Sequence, residues 1–333
     1  MTRDASSTQA TPGAAGAVGA RQTAVSLATE VARIGLAVVA TVLLARILGP
    51  AGRGSYAACT VFAALLTVLF FLGTDVGCLY FVGSRRFSVS EGVAHVVFSG
   101  LMFAVVAVAA GAVLIRMPWE FFQKAPPTAF YVALALVPIN FLSLTLLRML
   151  IQVRQFTWYG ILATGRHLVY LAALVVIVWV LDLGVVGALV AMLVSSVIGL
   201  VPVLVLMRRK YDLRWVWPSR SSLGRVLHYG VRYYFGKVSN LVNMQVGTVV
   251  LAMFAPKEDL GFFAVAMALA SRFEIVPTAL NNVLFTRVAV DPGGRPELVA
   301  RCVRMSGVVV GVVLAVAAVA GLPARVIRTA DAR

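Results

Sequence analysis

Long apolar runs broken by short polar links dominate the chain. They fall at roughly 24–46, 55–82, 93–115, 128–150, 158–181, 183–207, 228–255, 260–286 and 304–323. About 20 apolar residues are needed to cross roughly 30 Å of hydrocarbon as a helix. The pattern therefore predicts an all-α fold, a polytopic membrane helix bundle of about nine transmembrane helices. Several runs are long enough to tilt or bend. Pro138, Pro202 and Pro277 lie inside them, where membrane helices tolerate proline as a kink. The short link around Asp182 predicts a tight hairpin between the fifth and sixth spans. Residues 1–21 are small, polar and Gly-rich and read as a disordered cytoplasmic tail. Nothing there has the form of a cleaved signal peptide. The expected organisation is a six-helix lobe over 22–207, a basic cytoplasmic loop over 208–227, a partial second lobe of three helices over 228–323, and a tail over 324–333.

Composition supports the membrane reading. Apolar residues make up 61% of the chain, charged residues only 13%, and the mean hydropathy is +0.94. Soluble domains average about 45–50% apolar and about 25% charged. The net charge of +16 does not point to nucleic acid, because the Lys and Arg residues sit at the ends of apolar runs. With the N-terminus inside, about sixteen fall on inner segments, the densest group being Arg208, Arg209, Lys210, Arg214, Arg220 and Arg225. About eight fall outside, including Arg46, Arg53, Arg116, Lys124 and Lys257. That excess favours a cytoplasmic N-terminus, and Trp215 and Trp217 suit a segment at headgroup level. Anionic membrane lipids are natural partners for such a loop. Cys59, Cys78 and Cys302, and His95, His167 and His228, show no ligand spacing, so no metal and no cofactor are expected. Asp-x-Asp, HxxxxD and Gly-rich phosphate-loop patterns are missing from the sequence, which argues against an enzyme.

A repeat is present at an offset of 207 residues. Setting LARILGPAGRGSYAA (44–58) against LAMFAPKEDLGFFAV (251–265) pairs Leu44 with Leu251, Ala45 with Ala252, Gly54 with Gly261, Tyr56 with Phe263 and Ala57 with Ala264. Each stretch ends one helix, crosses a short outer loop, and opens the next helix with Gly-aromatic-small. Such a repeat implies two halves in parallel orientation with a route between them.

The same residues carry a family resemblance. The "LLARxLGPxGxGxYA" turn and a second helix ending near "LGxxxxxxxFV" resemble the opening of Wzx-type polysaccharide flippases of the multidrug/oligosaccharidyl-lipid/polysaccharide exporter superfamily. Residues 234–287 are similar to the seventh and eighth helices of that family. The resemblance covers about residues 22–320 and implies a transporter that moves lipid-linked (diphosphate) oligosaccharide across the cytoplasmic membrane for cell-surface polysaccharide or lipopolysaccharide biosynthesis. It also implies partners among glycosyltransferases or a polysaccharide polymerase. The family has twelve or fourteen helices, so a chain of nine is expected to be a truncated or divergent member.

Ionisable groups inside apolar spans are costly and mark cavities or partners. Glu30 and Arg33, three apart, share a face of the first span, and Asp75 lies late in the second. Arg166 and His167 sit in the fifth span without a carboxylate nearby in sequence, which suits an anion. In the seventh span Arg232, Gly236, Asn240, Asn243 and Gly247 follow helical spacing, with Lys237 beside them, and Arg272 and Glu274 lie deep in the eighth. The deep charge is net cationic and suits a diphosphate. Two other readings stand beside the flippase: a multidrug or cation antiporter of the same fold, and an inactive truncated member.

Overall fold

The computed structural model describes residues 12–211, 213, 216–273, 304, 307 and 311. Its helices are α1 (Pro12–Phe70), α2 (Thr74–Gly83), α3 (Val89–Ile115), α4 (Glu120–Gln123), α5 (Pro127–Gln152), α6 (Phe156–Leu174), α7 (Gly184–Tyr211), α8 (Arg220–Phe254) and α9 (Lys257–Phe273). The all-α expectation holds throughout the described residues. One compact unit covers Met1–Val265 and a second covers Ala266–Arg333. Within the second, the end of α9 is described, where the Ser271 hydroxyl donates to the Ala268 carbonyl at 3.1 Å.

Five stretches among the described residues are long and apolar enough to cross a membrane: Thr29–Phe70, Val89–Ile115, Pro127–Gln152, Phe156–Val180 and Gly184–Tyr211. The chain is therefore a multi-pass membrane protein. The 42-residue stretch Thr29–Phe70 contains most of the first expected span and just over half of the second. α1 breaks its helical path at Gly49, where φ is 64° and ψ is 179°, just before Pro50. α8 is not one of the five, although its 35 residues are long enough. Lys237, Ser239, Asn240, Asn243 and Gln245 make it too polar. At the other end, α1 reaches back to Pro12, into the stretch expected as a disordered tail. Proline in the first helical turn and the alanines that follow favour that extension.

Three further features set the geometry. The second expected span is not continuous: it unwinds at residues 71–73, with Leu72 at φ 47° and Gly73 at φ 69°, and restarts as α2. α6 continues into a π-helical turn, Val175–Val180, and reverses through Asp182 (φ 50°) and Gly184 (φ 53°), giving the tight hairpin expected there. Pro138 and Pro202 lie inside the unbroken α5 and α7. α5 is the most enclosed of the apolar spans. Its Phe130 joins Phe62, Phe121 and Phe122 in an edge-to-face cluster, and its Phe141 packs on Phe71 with ring centroids 4.0 Å apart.

α8 runs antiparallel to the second span, with one close approach per helical turn. The Tyr234 hydroxyl donates to the Leu69 carbonyl at 3.3 Å. Gly73 meets Gly230 so tightly that a Cβ on Gly73 would lie 2.5 Å from the Gly230 carbonyl oxygen. A Cβ on Gly77 would lie 2.5 Å from that of Val226. One turn further along, the rings of Tyr80 and Tyr229 stack at 4.0 Å.

At the opposite end of α8 the sequence repeat reappears as a physical contact. A Cβ on Gly54 would lie 1.9 Å from the Lys257 carbonyl oxygen, and a Cβ on Gly261 would lie 1.9 Å from the Pro50 carbonyl oxygen. Pro50 and Lys257 are themselves one repeat apart, as are Gly54 and Gly261. The two matching turns thus clasp each other reciprocally, as a local two-fold relation requires. Only glycine permits this approach, because the obstructing atoms are backbone and cannot rotate away. The Lys124 ammonium donates to the Ala255 carbonyl at 2.8 Å, and the Ser55 hydroxyl donates to the Lys124 carbonyl, fastening the same end.

Replacing Gly54 or Gly261 by Ala is expected to destabilise the detergent-solubilised protein by about 1–3 kcal/mol or more. Gly35→Ala and Gly224→Ala, where a Cβ meets nothing within 4 Å, leave its thermal unfolding temperature unchanged or slightly raised. A thermal melt of the four variants checks this.

Candidate functional site

Break, helix start and opposite charge combine where α2 begins. Gly73 caps α2 in the left-handed conformation, and Asp75 lies in the first turn, where unpaired backbone N–H groups favour a negative charge. Facing it on α8 is Lys237, whose ammonium donates to both carboxylate oxygens, at 2.8 and 2.7 Å. Side-chain exposure is 8% for Asp75 and 26% for Lys237, so the aspartate is the more enclosed partner. Along α8 the buried positions Val226, Gly230, Leu241, Thr248 and Ala252 form one stripe. At 100° per residue Lys237 falls on that stripe. It is therefore directed into the packed seam rather than toward the polar face beside it.

Arg166 on α6 is placed differently. Its guanidinium donates to Asn140 Oδ1 on α5 at 2.9 Å and to Ser196 Oγ on α7 at 3.3 Å. Its stem lies across Gly199, where a Cβ would come 3.2 Å from the Arg166 side chain. Its hydrogen-bond partners among the described residues are neutral, and no carboxylate there pairs with it. Three facing helices hold it half-buried.

This arrangement, polar and charged groups on facing apolar helices, accompanies a family match. Residues 20–289 match the family described as polysaccharide biosynthesis protein. The chain belongs to that family. Among solved structures the chain is similar to an outward-facing multidrug resistance MATE family transporter of the MOP superfamily, at 17% identity over 86% of this chain and 77% of that one, with a TM-score of 0.49. It is similar to a MATE protein in complex with Br-NRF, at 17% identity over 78% and 71%, with a TM-score of 0.43. It is also similar to a MOP superfamily transporter from Pyrococcus furiosus Vc1 described for the reverse polarity of its binding pocket, at 15% identity over 84% and 71%, with a TM-score of 0.42. No curated protein matches the chain.

The remaining candidate site residues separate into groups. Glu30 and Arg33 pair with each other on α1, both partly exposed. His167 Nδ1 lies 2.9 Å from the Ala163 carbonyl, one turn back on its own helix. Arg232, Asn240 and Asn243 are exposed along one side of α8, about a third of a turn round from the stripe that carries Lys237. The Arg272 backbone lies in α9, and Glu274 lies outside the described residues. Asp75 and Lys237, identified separately from the sequence, are brought together. Arg166 is brought to two polar side chains, Asn140 and Ser196, that were not among the sequence candidates.

Two buried groups were not evident from the sequence. Arg53, expected as a loop charge, is only 8% exposed, and its guanidinium lies 5.1 Å from the centre of the Tyr56 ring. The Tyr56 hydroxyl in turn reaches the Tyr170 hydroxyl at 3.0 Å. His95 on α3 is 2% exposed and stacks on Phe87, over whose ring Arg225 also lies. The only signal for Arg53 was its place between the two glycines of the repeat turn.

Breaking a buried pair leaves an uncompensated charge, which costs about 3–5 kcal/mol. Lys237→Met is accordingly expected to lower the unfolding temperature of the purified protein strongly. Asp75→Asn combined with Lys237→Met restores most of the loss, and a double-mutant cycle by thermal denaturation measures the coupling.

Proposed function

We propose that this protein is a flippase that carries a lipid-linked oligosaccharide or polysaccharide precursor across the cytoplasmic membrane, with its N-terminus in the cytoplasm. The glycan crosses through a wet groove while the lipid tail stays in the bilayer. The observation that carries this reading is Arg166, a guanidinium inside apolar helices whose side-chain partners among the described residues are neutral. Guanidinium groups bind phosphate oxygens through paired charge-assisted hydrogen bonds. A diphosphate link between lipid and sugar supplies those oxygens. The family's connection with polysaccharide biosynthesis points to the same substrate class.

A cation antiporter would need an acidic group free to receive its cargo. Both acids of the first two spans lie toward the span ends and are engaged by cations, Glu30 with Arg33 and Asp75 with Lys237. The described charges favour an anionic guest.

Reconstitution of the protein into liposomes with a fluorescent lipid-linked oligosaccharide tests the proposal. Protein-dependent exposure of the label to a membrane-impermeant quencher is the expected result. Arg166→Gln slows it by roughly tenfold to a hundredfold, as loss of one charged hydrogen bond of about 1.5–3 kcal/mol implies. Equal rates with and without wild-type protein would reject the proposal.

A further inference from the structure

Two turns at the end of the bundle expected to face the cytoplasm carry arginine where the backbone favours glycine. We propose that these turns form a docking surface for the phosphate headgroups of anionic membrane phospholipids, with Arg85 and Arg154 at its centre. It stands apart from the flippase reading and does not depend on it.

α2 and α5 end in the same way. After α2, the Arg85 N–H donates to the Val82 carbonyl at 3.1 Å, and the Arg86 N–H donates to the Phe81 carbonyl at 2.9 Å. After α5, the Arg154 N–H donates to the Ile151 carbonyl at 3.0 Å, and the Gln155 N–H donates to the Leu150 carbonyl at 2.8 Å. This pair of bonds closes a helix with one residue in the left-handed region, a place usually filled by glycine. Here Arg85 fills it at φ 57° and Arg154 at φ 59°. A residue with a side chain is strained there. Orientation in the membrane and the helix C-terminal dipole both favour positive charge nearby, but neither requires it at that position. Ser84 and Val153, one residue earlier, have negative φ and could carry the charge without strain.

The two turns lie side by side. A Cβ on Gly83, two residues before Arg85, would lie 2.5 Å from the side-chain oxygen of Gln152, two residues before Arg154. α7 joins them through Lys210, whose ammonium donates to Gln155 Oε1 at 2.7 Å. α8 joins through Arg225, whose guanidinium lies 5.5 Å from the centre of the ring of Phe87, next in sequence to Arg86. Arg85, Arg86, Arg154, Lys210 and Arg225 are all exposed. Among the described residues of these helix ends Glu91 is the one acid, and its carboxylate accepts from the Ser88 N–H at 2.7 Å. Asp212 lies outside the described residues. Beside Arg154, Phe156 and Trp158 are 45% and 43% exposed, and exposed tryptophan suits the level where hydrocarbon gives way to headgroups. Charge and depth both match lipid phosphate, which guanidinium groups hold through paired hydrogen bonds.

Thermal unfolding of the full chain in nanodiscs tests the proposal, comparing phosphatidylcholine alone with a mixture containing phosphatidylglycerol. Wild type is expected to melt several degrees higher in the mixture, and added salt shrinks that gain. Arg85→Gly combined with Arg154→Gly relieves the strained backbone, so this variant melts at or above wild type in phosphatidylcholine. In the mixture it loses most of the gain. Arg85→Lys with Arg154→Lys keeps most of it. Arg46→Gln with Arg116→Gln removes the same charge from exposed positions at the other end and leaves the gain intact. A full gain in the glycine variant, or an equal loss in the Arg46 and Arg116 variant, overturns the site. A glycine variant less stable than wild type in phosphatidylcholine overturns the strain that singles out these two arginines. Equal melting of wild type in both lipids rejects the docking surface without recourse to any variant.

Discussion

A lysine ammonium held among apolar helices must find a counter-charge, and in this protein that need joins two segments 162 residues apart. Lys237 occupies the buried stripe of α8, so the helix can pack only where a carboxylate is waiting. Asp75 waits there because the second span unwinds immediately before it and begins again as α2. A continuous helix would point residue 75 elsewhere and would not present a fresh N-terminus to its charge. The unwound turn, the short helix and the antiparallel course of α8 along it form one electrostatic solution.

Close backbone approach makes that solution possible. In hydrocarbon there is little hydrophobic gain in bringing helices together, so van der Waals contact and polar pairing decide where they cross. Gly73 against Gly230 and Gly54 against Gly261 bring backbones to distances that any side chain would forbid. The contacts involve carbonyl oxygens and glycine Cα atoms, which suit weak Cα–H···O bonding. Such surfaces can part without pulling interlocked side chains through one another, a useful property where segments are expected to rock.

The cations fall into two kinds. Arg33 and Lys237 are paired with carboxylates, whereas Arg166 is held by an amide and a hydroxyl, with no carboxylate among the described residues paired to it. Paired cations organise structure by choosing which helices meet. Arg53 is a third arrangement, a guanidinium over an aromatic ring near the repeat turn, where the ring face and burial together hold it.

Hydropathy determined the helical class and the location of the long apolar segments, because the cost of bare backbone in lipid leaves few choices. The offset of 207 residues was also legible, since Gly54 and Gly261 must be glycine wherever two such turns meet. Asp75, Lys237 and Arg166 could be selected one at a time, since charge in an apolar run is visible along the chain. Their partners could not. Whether Asp75 answers Lys237, or Asn140 and Ser196 answer Arg166, depends on which faces come together across α2, α5, α6, α7 and α8. The break at Leu72–Gly73 and the burial of Arg53 were likewise decided by packing, because a polar link and a buried joint read alike until a neighbouring helix covers one of them.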